Sequence, residues 1–327
     1  MTAARTVFLG SGSFAVPILE MLVKHPRIEL RAVVTAPPRA VGRGQRIAPS
    51  VVGSRAAAMA LAVLAPERLR APEAIDQLQA FRPDLIILAD YGQIVPRSLL
   101  ELPPQGALNL HPSLLPRHRG ATPIPAAILA GDRSTGVSLM RMDEGLDTGP
   151  LIAVREVPLN GDETTPVLEA ALARVAAKLL ARSLSPWLAG RLGATRQPDE
   201  GASLSRPLRR QDGRLDPGRS AASSERQIRA YQPWPGSFLE TDEGRLVAWK
   251  GRVWDGAEQT TGSESRVVDA ARGLLVAVGD GLGLVTTDGI LELVEVQPAG
   301  GRRMRGSEYA RGRPGLIGSR VREGTVG

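Results

Sequence analysis

Two polar residues, Asn109 and His111, stand two positions apart in Ala107-Leu-Asn-Leu-His-Pro-Ser-Leu-Leu-Pro116, alternating with Leu108 and Leu110. Alternation at period two puts both polar side chains on one face at the end of a strand. An amide N–H donor beside an imidazole suits an oxyanion that forms during acyl transfer. A single strand-end histidine can serve structure alone; its pairing with an amide across one residue is what points to chemistry. A second candidate is the acidic, glycine-bounded loop Met142-Asp-Glu-Gly-Leu-Asp-Thr-Gly149. It reads either as a solvated turn or as the source of a carboxylate that holds an imidazole protonated or relays a proton through water.

A third candidate is Gly10-x-Gly12-x-x-Ala15, a dinucleotide-type fingerprint between an apolar run and a helical pattern. The acid expected to take the ribose hydroxyls is missing, because Thr35-Ala-Pro-Pro-Arg39 ends the second strand. Two readings stay open here: an NADP site with Arg39 as phosphate partner, or a tight turn whose amides meet some other anion. With no cysteine and only His25, His111 and His118, thiolate and histidine-rich metal centres are not expected.

The elements that must position these groups alternate strand and helix. Strands are predicted at Thr6–Leu9, Leu30–Thr35, Leu85–Ala89, Ala107–Leu110 and Val137–Met142. Helical spacing links Ile18, Leu19, Leu22 and Val23, then Ala74, Ile75, Leu78 and Phe81, then Ile124 to Leu129, and a long helix covers Pro166 to Leu188. This alternation predicts an α/β, Rossmann-like, doubly wound and mostly parallel sheet. Ligands of such sheets bind at the carboxyl ends of the strands. After Trp187 the texture turns to Gly, Pro, Arg, Ser and Gln, an exposed linker in outline. Beyond it, short runs such as Arg245–Trp249, Leu284–Thr287 and Leu291–Val296 predict a second, smaller all-β barrel, OB-like. The domain boundaries expected are 1–190, 191–219 for the linker, and 220–327.

The chain has 327 residues, 43% hydrophobic and 23% charged, which fits two globular units and excludes a disordered or collagenous chain. Neither an export signal nor an apolar run of the ~20 residues needed to span a bilayer is visible, so a cytoplasmic location without membrane is expected. Net charge is +7, carried almost wholly by arginine since only Lys24, Lys178 and Lys250 are lysines. That balance suits either a polyanionic partner or an arginine-preferring genome.

Taken together, Phe8-Leu-Gly-Ser-Gly-Ser-Phe-Ala15, Gly42-Arg43-Gly44, Tyr91-Gly-Gln-Ile94, Asn109–Pro116, Arg119-Gly120, Thr135-Gly136 and Leu146-Asp-Thr-Gly149 resemble the methionyl-tRNA formyltransferase family. Gln211–Asp216 and Arg229-Ala-Tyr-Gln-Pro-Trp-Pro-Gly236 look like that family's passage into its C-terminal domain, so the similarity covers nearly the whole chain. The resemblance implies 10-formyltetrahydrofolate as formyl donor and initiator methionyl-tRNA as acceptor; no metal is expected, and a monomer is expected. It assigns Asn109, His111 and Asp147 as the catalytic trio. It places the folate at Gln93, Ile94 and Val95, at Ser113, Leu114 and Pro116, and at Asp143 and Glu144. It assigns tRNA contact to Arg39, Arg43 and Arg46, to Arg206, Arg209 and Arg210 in the linker, and to Arg302 and Arg303. The sequence departs from the family pattern at Asp90, His118 and Pro217. Rival readings are a formyltransferase acting on an amino sugar nucleotide or another small amine, and an NADP-binding oxidoreductase.

Overall fold

The computed structural model describes residues 2–41, 44–255 and 271–322, and within them the contacts fall into two units. The first comprises 1–124, 133–159 and 167–206; the second comprises 125–132, 160–166 and 207–327.

The first unit opens with β1 (Ala4–Leu9), whose apolar side chains are buried on both faces, as an interior parallel strand requires. The Gly10–Ser13 turn leads into α1 (Val16–Lys24), started by Pro17 in its first turn and buried along Ile18, Leu19 and Leu22. Then come β2 (Ile28–Val34), a hairpin of β3 (Arg39–Val41) and β4 (Arg46–Ala48), and α2 (Val51–Ala58), capped by the Ser50 hydroxyl on the Gly53 amide. β5 (Val63–Leu64), α3 (Pro72–Ala80), β6 (Leu85–Leu88), α4 (Arg97–Leu100) and β7 (Ala107–His111) follow. After β8 (Arg119–Gly120) and α5 (Pro123–Ala130), which runs from the first unit into the second, the sheet is completed by β9 (Ser134–Arg141) and β10 (Leu151–Pro158). The 24-residue α6 (Thr165–Leu188) buries Leu168, Leu172, Ala176, Leu180 and Leu184 at helical spacing, and β11 (Leu204–Ser205) pairs with β8.

The seven-stranded sheet runs β10-β9-β7-β6-β1-β2-β5. The five strands from β7 to β5 are parallel, β9 runs antiparallel to β7, and β10, antiparallel to β9, returns in the direction of the five. The chain winds from β1 outward through β2 to β5, then restarts at β6 on the other side of β1. The crevice at the carboxyl ends of β1 and β6 is therefore the topological switch point where open α/β sheets bind ligands.

The second unit holds α7 (Ala221–Ala230), β12 (Ser237–Thr241), β13 (Gly244–Val253), β14 (Leu275–Val278), β15 (Gly281–Val285), β16 (Ile290–Pro298), β17 (Met304–Arg305) and α8 (Gly306–Arg311). Its strands form one antiparallel sheet, β12-β13-β16-β15-β14, with β17 added to β16. Leu246, Ala248, Leu284, Leu291, Leu293 and Val296 form its core with Ile228 of α7 and Tyr309 of α8.

Several elements differ from the sequence-based expectation. α2, β5, the β3–β4 hairpin and β10 carry too little apolar periodicity to be read. The linker is not exposed throughout, since Gln197, Ser205 and Leu215 are buried. No helix among the described residues is long and apolar enough to cross a membrane.

Candidate active site

β7 lies between β6 and β9, so its carboxyl end opens at the middle of the sheet edge. Asn109 and His111, on one face of that strand, are both more than nine-tenths buried. Asp147, in the loop between β9 and β10, joins them. Its Oδ1 accepts from Asn109 Nδ2 at 3.3 Å, and its Oδ2 lies 3.5 Å from His111 Nδ1 and accepts the Gly120 amide at 2.8 Å. Position 120 must be glycine: its φ is +102°, and a Cβ there would run into the Ser205 carbonyl.

The opposite ring nitrogen, His111 Nε2, is 2.9 Å from the His118 carbonyl oxygen and donates to it. The imidazole thus sits between two acceptors, a carbonyl and a carboxylate. Burial pulls its pKa below the ordinary value, and the Asp147 charge and the His118 carbonyl pull the other way. Negative charge that appears beside the ring adds to the pull of Asp147 toward its protonated form. Asn109 uses one amide hydrogen on Asp147 and keeps a second for a ligand.

The chain around the trio is tied down by groups the sequence did not single out. Gln197 Nε2 donates to the carbonyls of Asp147 (2.8 Å) and Gly149 (2.7 Å), and its Oε1 accepts from Arg119 Nε and Nη2. Ser138 Oγ donates to the Ser113 carbonyl and accepts from the Leu115 amide. A lone glutamine in a polar stretch carries no sequence signal for such a role.

Of the residues expected at the folate, Gln93 places its side chain on the Leu69 amide and the Pro66 carbonyl. Val95 is buried against the core, whereas Ile94 is 90% exposed. Ser113 is buried with its hydroxyl on the Arg117 carbonyl, Leu114 is half-buried beside Gly136, and Pro116 is buried. Asp143 closes its own loop by accepting from Gly145 N and Thr148 Oγ1, and Glu144 pairs with Arg97 of α4 at 3.2 Å. Ile94, in the segment after β6, and Leu146, in the loop between β9 and β10, are both exposed apolar side chains.

Arg39 and Arg46 are exposed on the β3–β4 hairpin, and Arg43 lies outside the described residues. Arg206, Arg209 and Arg210 are exposed. In the second unit Arg302 pairs with Glu308, while Arg303 stacks 3.4 Å from the centre of the Trp249 ring and lies 4.0 Å from Glu295.

The Gly10–Ala15 turn is not an open phosphate cradle. The Asp90 carboxylate lies against Gly12 so closely that a Cβ there would collide with it, and Ser13 Oγ donates to Glu169 of α6. Two carboxylates at the turn oppose a pyrophosphate, which weighs against the NADP reading. Among the described residues no group of three or more His, Asp or Glu stands close enough to hold a metal ion.

Residues 4–184 match the family Formyl transferase, and residues 207–314 match Formyl transferase, C-terminal domain. The chain is 43% identical over 312 residues to the methionyl-tRNA formyltransferase of Halorhodospira halophila, covering 95% of this chain and 97% of that one. It is 41% identical over 321 residues to the enzyme of the same name from Thermus thermophilus, covering 97% and 99%. The chain belongs to the methionyl-tRNA formyltransferase family. Among solved structures, an N-formyltransferase from Helicobacter canadensis, in complex with folinic acid and dTDP-3-aminofucose, superposes with a TM-score of 0.62. The pair is 16% identical, covering 89% of this chain and 98% of that one, a likeness of fold alone.

Proposed function

We propose that this chain transfers the formyl group of 10-formyltetrahydrofolate to the α-amine of methionine esterified to initiator tRNA. The observation that carries the chemistry is Asp147 bridging Asn109 and His111 at the carboxyl edge of the sheet. The amine nitrogen attacks the formyl carbon, and the carbonyl oxygen takes on negative charge. The spare N–H of Asn109 and the His111 ring stabilise that charge, the ring exchanging its hydrogen bond to the His118 carbonyl for one to the oxyanion. Asp147 supports the charged imidazole and helps carry a proton from the attacking nitrogen to the departing one. The C–N bond to the donor then breaks.

The folate would lie between the Gln93–Val95 segment and the Asp143–Glu144 loop, its rings against Ile94 and Leu146 and its polar edge on backbone. Residues 1–190 would carry catalysis, joined through 191–219 to a tRNA-holding domain at 220–327. The exposed arginines Arg39 and Arg46 support a polyanionic acceptor over an amino sugar or another small amine. Incubating the protein with formyl-folate and either charged initiator tRNA or free methionine tests the reading. Formylation of the tRNA alone is the expected result, and formylation of free methionine at the same rate overturns it.

A further inference from the structure

At the carboxyl ends of the parallel strands the order is Asn109 and His111 on β7, Asp90 beyond β6, the Gly10–Ser13 turn beyond β1 and the arginine hairpin beyond β2, while Asp147 reaches Asn109 and His111 from the loop that follows the antiparallel β9. Asp90 stands between the trio and the arginines, at the switch point of the sheet. Leu88 pairs with Asn109 in the β6–β7 ladder, and two residues on come Asp90 and His111.

The backbone holds Asp90 there firmly. Its carbonyl accepts the Ser11 amide at 2.9 Å, and its φ of +50° lies in the left-handed region that Asp tolerates better than most residues. That turn lays the carboxylate over Gly12, where a side chain would collide with it. Glu169 of α6 reaches the same turn through Ser13. The charged group that acts on Asp90 is Glu169 on α6, while the Gly10–Ser13 turn contributes only hydroxyls. Although the residue reaches solvent, crowding by protein and the Glu169 charge push its carboxyl up to about 6. A local strain and a displaced acid at a ligand crevice mark functional positions.

The proposed reaction leaves one proton unassigned. The acceptor arrives as an ammonium and can attack only after losing one of its three hydrogens, whereas His111 and Asp147 act on a later one. We propose that Asp90 docks the acceptor's ammonium and takes the proton it sheds before its nitrogen attacks the formyl carbon. This rests on the formyl-transfer reading. The N–H bond breaks and its electron pair stays on nitrogen as the nucleophile, while the proton passes to a carboxylate oxygen and then to solvent. Of the two remaining hydrogens, one moves to the departing donor nitrogen and one stays on the formamide.

The test is the pH dependence of kcat/KM for charged initiator tRNA with the full-length protein and its Asp90→Asn and Asp90→Ala variants. The unaided α-amine takes up its proton at about 7.7–8.0, so both variants should lose roughly tenfold or more at pH 6.5 and less than about twofold at pH 9. An equal loss at every pH, the mark of a structural disturbance, or an unchanged profile overturns the proposal. A second arm needs no turnover. Methionine methyl ester, an ammonium probe, should bind the unaltered protein several-fold more tightly than Asp90→Asn by NMR titration, and equal binding overturns the docking role. Weakened ester binding with no formylation of tRNA by the parent protein would uphold the docking role and reject the formyl-transfer reading instead.

Discussion

Gln197, 50 residues beyond Asp147 in the chain, donates its side-chain amide to the Asp147 carbonyl at 2.8 Å. Through Gly149 and Arg119 the same side chain ties the acidic loop to the strand that offers Gly120 to the Asp147 carboxylate. The geometry of the carboxylate therefore depends on a residue that touches no substrate. Gln197→Ala leaves two carbonyls without their donor in a buried place, which costs about 1–3 kcal/mol each at most. Denaturant unfolding should show that loss. Turnover should fall by roughly tenfold or more, since a small misplacement of a reacting group is costly, with folate affinity nearly kept. Unchanged turnover would show that Asp147 is held well enough by Asn109 and Gly120 alone.

Asn109→Ala and His111→Ala should each lower kcat by about a hundredfold to a thousandfold, or ~2.7–4 kcal/mol, because both act on charge that exists only after attack. Formyl-folate binding, measured by fluorescence quenching, should change little. Asp147→Asn keeps the shape and removes the charge that opposes the burial of the imidazole, so it too should be severe. A variant of the trio with parental rate and pH profile would remove that residue from the mechanism.

The active strand is legible in the sequence because period-two alternation sets Asn109 and His111 on one face whatever the rest of the chain does. The acidic loop is legible as a source of a carboxylate, but the choice of Asp147 within it comes only by resemblance, since three carboxylates share the loop and spacing does not choose among them. Gln197 lies beyond sequence reasoning: its burial comes from partners 50 and 78 residues away in a stretch rich in Gly, Pro and Arg. β5 is two residues long and β10 is half-exposed, so neither has an apolar pattern to betray it. Asp90 looks like a surface acid at the end of a strand until the fold brings Gly12 and Glu169 to it.

The raised carboxyl of Asp90 also bears on stability. The folded-state value is about 6 against an ordinary 3.8, so above pH 6 the fold holds an anion it disfavours, and below about pH 4 both states are protonated and the cost is gone. Asp90→Asn should therefore be the more stable protein at pH 8. Solvent reaches the residue and screens it, which limits the gain to about 1 kcal/mol. The advantage should shrink as pH falls from 6 to 4. Melting curves at pH 8 and pH 4 check this, and a variant less stable at pH 8 would contradict the cost assigned to the carboxylate.

The arginine hairpin should govern tRNA affinity and leave the folate alone. Arg39 is paired with Ala48 and Arg46 with Val41, at opposite ends of a short ladder, and both arginines are exposed to solvent. A guanidinium placed so can meet a phosphate bidentately or stack on an unpaired base. Each phosphate neutralised in this way releases condensed counterions, so tRNA binding should weaken steeply as salt rises. Replacing Arg39, Arg43 and Arg46 by alanine should raise the KM for tRNA and flatten the slope of log affinity against log salt by about 0.7–0.9 for each phosphate left without its arginine. Formyl-folate offers no phosphate array, and its proposed place lies on the far side of β6 from β2, so its affinity should stay within about twofold across the same salt series. Weakening shared equally by both substrates would point to a disturbed fold. Unchanged tRNA affinity and slope would mean that the polyanion is held elsewhere.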